Sequence, residues 1–264
     1  MSYFEKTDPK MGKFVNAVLT NGTNGHFLVD PRDNVIGQQL RRNGVYGQLE
    51  LERLSKITDK DSSVLVVGAH IGTLAIPLAK SVKRVVAIEA NPSTFELLRF
   101  NVLLNGAENC TLHNIAASNK FEPLEFLVNT ENSGGSKIRP RIENKMYTYD
   151  NPEIISVPGA PLDQILLPEE FDVIIMDIEG SEYFALQGMP ELLNKAHSIM
   201  IEFVPHHIRN ISGVTVKEFA ELFNCFETMS LTYQDLTVAK GDFEFVLDYL
   251  FEKDICDDGL IFSR

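Results

Sequence analysis

The run Val64-Leu65-Val66-Val67-Gly68-Ala69-His70-Ile71-Gly72 constrains this chain more than any other stretch. Four consecutive apolar residues followed by a glycine turn read as a strand covered on both faces. Glycines at the turn let the main chain bend tightly and let a ligand approach the backbone. A helix is expected over residues 72–80, with its free N–H groups at the same turn. Pro77 inside it removes a hydrogen bond, so a local kink is expected there.

The same alternation continues downstream. Residues 84–88 read as a second strand, 91–105 as a helix with Phe95, Leu98 and Val102 on one side, and 111–114 as a third strand. Then come a strand over 171–176, a helix over 182–194 and a strand over 198–203. Apolar strands alternating with helices indicate an α/β fold, a doubly wound and mostly parallel sheet. A helix over 217–224 leads into residues 225–231. Residues 243–251 fit either helix or strand, and 259–263 read as a last short strand.

Residues 1–60 form an N-terminal preface, expected to pack on the domain of residues 61–264. Stretches 14–20 and 26–30 flank Asn21-Gly22-Thr23-Asn24-Gly25, which suggests a hairpin with a five-residue loop. Asp33 is placed to cap a helix over 35–42 that Gly44 ends, and a second helix covers 48–57. Residues 129–151, with Ser133-Gly134-Gly135-Ser136, read as a loop insertion. It is either a plain surface loop or a lid.

The 24 basic and 37 acidic residues give a net charge of -13. Such a surface repels phosphate backbones, so no nucleic-acid partner is expected. No run approaches the ~18 apolar residues of a membrane span. The opening MSYFEKTDPKMGK lacks an apolar signal region, so a cytoplasmic protein with no membrane partner is expected. Cys110, Cys225 and Cys256 form no CxxC pair, which argues against a disulfide framework or zinc site.

A dinucleotide fingerprint would place glycines where this chain has His70 and Thr73, which disfavours NAD and FAD. Glu89 ends the next strand, where a carboxylate can accept bonds from both hydroxyls of a ribose. A nucleoside cofactor without a diphosphate fits both observations, and S-adenosylmethionine is the obvious one. The bland alternative is a strand-to-helix turn with Glu89 as a solvated strand end. Asp177-Ile178-Glu179-Gly180 lies at the carboxyl end of the strand over 171–176, the edge where ligands bind in open α/β sheets. There the alternative is helix capping by Asp177 or Glu179.

The segments VLVVGAHIG, VVAIEANPSTFELLRFNVLLN, SVPGAPLDQIL, FDVIIMDIEGSEYFALQGM and IMIEF together resemble the FkbM family of S-adenosylmethionine-dependent methyltransferases. The resemblance spans about residues 44–203 and, more loosely, the rest. Its most family-specific part is Asp177, Glu179, Gly180, Glu182, Leu186 and Gly188; the family usually has Asn where this chain has His70. The resemblance implies a seven-stranded class I methyltransferase fold and O-methylation of a sugar or polyketide-like natural product. It implies Gly68, Ala69, Gly72, Glu89 and Asn91 as cofactor contacts, with Asp177 and Glu179 beside the transferred methyl. His70, Ala90 and Tyr46 join the cofactor candidates, Tyr46 as a residue that closes over the cofactor.

A hydroxyl is a poor nucleophile until its proton leaves, so a base or a metal is required. The candidates are Asp177, Glu179, Glu202, His206 and His207. Asp177 is expected to orient or deprotonate the hydroxyl, His206 or His207 to compete as base, and Glu179 to hold the turn or the substrate. Asp177 with Glu202 could hold a divalent cation, but no spacing demands one and no metal is expected. The expected partner is a small-molecule or glycan acceptor; the oligomeric state is open, a homodimer being one option. The competing functions are a non-catalytic nucleoside-binding module of the same fold and, less favoured, an NAD-linked oxidoreductase.

Overall fold

A computed structural model of the protein describes residues 17–232 and 234–264. Strands β1 (Val18–Gly22) and β2 (Gly25–Val29) form an antiparallel hairpin in which Gly22 pairs with Gly25. Its turn is therefore Thr23-Asn24, not the expected five-residue loop. Residues 14–16 of the expected first strand lie outside the described residues. Helix α1 (Ile36–Asn43) ends at Gly44 in the left-handed region, and α2 (Gln48–Leu54) follows. Asp33 does not cap α1. Its Oδ1 accepts the N–H of Val35 at 2.8 Å and tightens the approach to the helix.

Strand–helix alternation then begins with β3 (Ser63–Val67), α3 (Ala75–Ala79), β4 (Arg84–Ile88), α4 (Pro92–Leu104) and β5 (Cys110–His113). α3 starts three residues later than expected. Pro77 thus sits in its first turn, where the N–H has no intrahelical acceptor, and the expected kink has no cause.

Strands β6 (Ala116–Ala117), β7 (Glu122–Val128), β8 (Lys137–Ile138) and β9 (Glu153–Ala160) form a separate sheet in the order β6-β9-β7-β8. The expected loop insertion is framed by this sheet, contributes β8 to it, and is braced by single 3₁₀ turns at Ser133–Gly135 and Lys145–Tyr147.

After α5 (Leu162–Leu166) and β10 (Val173–Met176), the helix expected over 182–194 is split into α6 (Glu182–Gln187) and α7 (Pro190–Lys195). Pro190 cannot donate to a continuous helix. β11 (Ser198–Phe203) leads through α8 (Pro205–His207) into a π turn, Ile208–Ser212. α9 (Val216–Glu221), β12 (Thr228–Leu231), β13 (Leu236–Ala239), α10 (Phe243–Glu252) and β14 (Asp257–Ser263) complete the chain. The ambiguous stretch 243–251 is helical.

The central sheet has eight strands in the order β13-β12-β14-β11-β10-β3-β4-β5. Only the pairings from β11 through β5 are parallel; β14, β12 and β13 join antiparallel. The sheet is therefore mixed and eight-stranded, not the expected seven-stranded, mostly parallel one. β14 enters between β11 and β12, and the short connection from β12 to β13 can only make an antiparallel pair.

Side chains of β3 alternate between two cores. Leu65 and Val67 join a cluster with Ile174, Phe203 and Phe262, while Val64 and Val66 join one with Ile76 and Leu98. Phe27, Val29, Leu40 and Leu54 of the preface belong to the second cluster. Asn101 of α4 and Asn105, which caps its end, accept the N–H groups of Leu28 and His26 at 2.6 and 2.9 Å. The strand order reverses between β3 and β10, and the carboxyl ends of these two strands carry Gly68 and Asp177. Among the described residues no helix is long and apolar enough to cross a membrane.

Candidate active site

A cavity of about 330 Å³ opens at that switch point, where α/β sheets bind ligands. Gly68, with φ +90, turns the chain directly against the main chain of Asp177. The N–H of His70 donates to Glu89 Oε2 at 2.9 Å, and the N–H of Asn91 donates to Oε1 at 2.8 Å. Burial pushes the Glu89 carboxyl up to about 7, against the pull of these N–H groups. Each of its oxygens keeps a lone pair for a ligand.

Gly68, Ala69, His70, Glu89, Ala90 and Tyr46 all line the cavity. Gly72 and Asn91 stand behind it. The missing β-carbon of Gly72 faces Ile76 and Leu98, and Asn91 caps α4 by accepting the N–H of Ser93 at 3.0 Å.

The His70 ring turns away from the role expected of a blocking side chain. Its Nε2 lies 2.7 Å from Ser133 Oγ, which in turn donates to Asp33 Oδ2. Burial lowers His70 to about 4, so the ring is neutral near pH 7. This chain ties the glycine turn to the insertion and the preface. Ser133, Gly134 and Ser136 line the cavity.

Asp177, Glu179 and Glu202 also line the cavity. Glu179 and Gly180 have φ of +57 and +102, so the turn after β10 needs support. Glu182 supplies it: its Oε1 accepts the N–H groups of Ile178 and Gly180 at 3.0 and 3.2 Å. Capping therefore does not occupy Asp177 or Glu179. The Asp177 carboxylate faces the cavity and accepts no hydrogen bond from any described residue. Asp177 is exposed to the open cavity; desolvation by the surrounding cavity walls, then Glu179 and Glu182, push its pKa above the usual range. Burial, then Asp177 and Glu179, do the same for Glu202.

The residue that sequence reasoning missed is Lys137. Its ammonium donates to Glu179 Oε2 at 2.8 Å and lies 3.4 Å from His207 Nε2. A single lysine in a polar stretch carries no signal, and only the pairing of β8 with β7 brings it here. His207 packs behind Glu179; burial, then Lys137, lower it to about 2. His206 stacks on Tyr147 with ring centroids 6.1 Å apart. Neither histidine lines the cavity. Among the described residues, Glu179, Glu202 and His207 form a carboxylate–imidazole cluster with the spacing to hold a metal ion.

A glycine turn, a carboxylate at the end of the next strand and an acid at the end of β10 meet at one switch point of an α/β sheet. The Methyltransferase FkbM domain model matches residues 67–254, and the chain belongs to this family, whose cofactor is S-adenosylmethionine. No curated protein matches the sequence. The chain is similar to the solved structure of Methyltransferase FkbM from Methylobacillus flagellatus, at 16% identity and a TM-score of 0.42, over 78% of this chain and 44% of that one. It thus spans less than half of that protein's length. It is also similar to TYW2 from M. jannaschii in complex with AdoMet, at 20% identity and a TM-score of 0.42, over 73% and 64% of the two chains. TYW2 from P. horikoshii in complex with MeSAdo aligns at 14% identity and 0.46, over 80% and 61%.

Proposed function

We propose that this protein is an S-adenosylmethionine-dependent O-methyltransferase acting on a hydroxyl of a small molecule or glycan. The observation that carries this reading is the placement of Glu89 and the unbonded Asp177 after β4 and β10, the two strands that flank β3, with both residues lining one cavity. The cavity residues fit the cofactor. Gly68 and Ala69 present little side-chain bulk to it, and Glu89 retains lone pairs for two ribose hydroxyls. Tyr46, Ser133 and Gly134 wall it in. When bound, S-adenosylmethionine supplies an electrophilic methyl group with a neutral leaving group.

The protein must then align a hydroxyl and take its proton. Asp177 does both in this reading: a carboxylate oxygen accepts the hydroxyl and then its proton. Its raised pKa makes the ionised form a stronger base than an ordinary aspartate. Glu179, held by Lys137, lines the acceptor side without competing for that proton. The net charge of -13 favours a small or glycan acceptor over a polyanion.

The test is transfer of labelled methyl from S-adenosylmethionine to a panel of glycans and polyol natural products, with tRNA as a separate probe. Labelled methyl ethers on a hydroxyl are expected. Asp177→Asn should slow transfer by about a hundredfold to ten-thousandfold with little change in S-adenosylhomocysteine affinity or melting temperature. Label only on tRNA, or an unchanged rate in Asp177→Asn, would overturn this reading.

A further inference from the structure

We infer that Lys137 is a positioning residue: a built-in cation that fills a three-ligand site made by Glu179, Glu202 and His207. Donor atoms of these three residues lie within 4.8 Å of one another. Two carboxylates and an imidazole suit a divalent transition metal. The ammonium of Lys137 stands against two of them instead. It lies 2.8 Å from Glu179 Oε2, 3.4 Å from His207 Nε2 and 5.3 Å from the centre of the Tyr147 ring. An ammonium has three donors, and these are three partners for it. The side chain is 7% exposed, so water does not serve it.

His207 completes the arrangement as a neutral ring. A neutral imidazole has one donor and one acceptor nitrogen. Nε2 faces the ammonium and must offer its lone pair. Nδ1 then carries the proton, on the side of Glu202, whose Oε2 is 3.9 Å away. The tautomer that receives Lys137 at Nε2 is the one that would ligate a metal at Nε2.

The ammonium differs from a metal ion in one respect that matters here. It neutralises and aims Glu179 but offers no open coordination position for a hydroxyl. Acceptor binding then falls to Asp177, which has no partner of its own. This positioning role rests on the methyltransferase reading; the occupation of the site by Lys137 does not. β8 delivers Lys137, so the insertion sheet helps to build the catalytic side.

Titration with Mn²⁺ alone tests the inference, followed by calorimetry in the full chain. The parent protein should bind no stoichiometric Mn²⁺ at the cluster. Lys137→Met, which keeps the stem and removes the charge, should bind it more tightly by roughly tenfold or more, about 1.4 kcal/mol. Adding His207→Ala should abolish the gain. Lys137→Arg keeps a cation and should behave as the parent. Lys137→Gln replaces Lys137→Met if the latter does not fold, as judged by circular dichroism. Stoichiometric Mn²⁺ in the parent that His207→Ala removes would overturn the inference, as would a folded, charge-free variant that binds no better than the parent. S-adenosylhomocysteine affinity is measured in the same samples. Its absence in the parent would count against the proposed function, not against the place of Lys137.

Discussion

A β-carbon on Gly68 would lie 1.8 Å from the carbonyl oxygen of Asp177. The ends of β3 and β10 therefore meet main chain to main chain, and the cofactor side and the acid side of the cavity share one contact. Asp177 reinforces it by donating its N–H to Val67 O at 3.1 Å. Gly68→Ala must move one strand end and also hold alanine at φ +90. Strain and overpacking together should cost about 3 kcal/mol or more. Urea melts of the variant check this, and a loss below ~1 kcal/mol would mean that the two strand ends separate freely.

Glu89 should make ligand affinity depend on pH. Its free-state pKa of about 7 means that it is partly protonated near neutrality, while ribose hydroxyls are best accepted by the carboxylate. S-adenosylhomocysteine should bind more tightly as pH rises through about 7 and then level off. Glu89→Gln should flatten that rise and weaken binding above neutrality by roughly 1.5–3 kcal/mol. Calorimetry across neutrality decides it; a flat profile in the parent places the ribose elsewhere.

Glu182 should shape the stability profile. Burial lifts its carboxyl from 4.5 to about 7. A group whose folded pKa is raised stabilises fully below its unfolded pKa, and that contribution is lost as pH rises through the folded one. Stability should therefore fall between about pH 4.5 and 7, with Glu89 adding to the same slope. Glu182→Gln keeps an acceptor for Ile178 and Gly180 and should reduce the slope. Glu182→Ala leaves both N–H groups unpaired and should cost about 1–3 kcal/mol for each. Denaturant melts at several pH values distinguish the two variants.

The preface should be indispensable. Phe27, Val29, Ile36, Leu40 and Leu54 share a core with Val64, Ile76 and Leu98. Each such side chain contributes roughly 1.5–3 kcal/mol when buried, so losing all of them rivals the ~5–15 kcal/mol of a whole domain. A fragment beginning at Asp61 should show no cooperative melt and no S-adenosylhomocysteine binding. A cooperative melt at the parent temperature would make residues 1–60 a separable appendage.

Local chemistry by itself determined the strand Ser63–Val67, the turn at Gly68 and the position of Glu89 at the end of β4. Those features need only an apolar run, a residue that tolerates positive φ and a strand's length. The stop at Gly44 was legible for the same reason. The second sheet was not. β7 and β9 pair across the insertion, and Pro123 and Pro158 break the alternation that marks a strand. Asp177 and Glu179 were visible as acids near a turn, but whether they were spent on capping depended on where the Glu182 carboxylate came to rest. His206 and His207 are adjacent in sequence, yet the start of α8 sends one to the Tyr147 ring and buries the other behind Glu179. Lys137 reaches the site only through the β7–β8 pairing. Sequence dictates what a residue and its near neighbours can do; which distant charges meet is decided when the sheets pack, because only then do desolvation and distance select the partners.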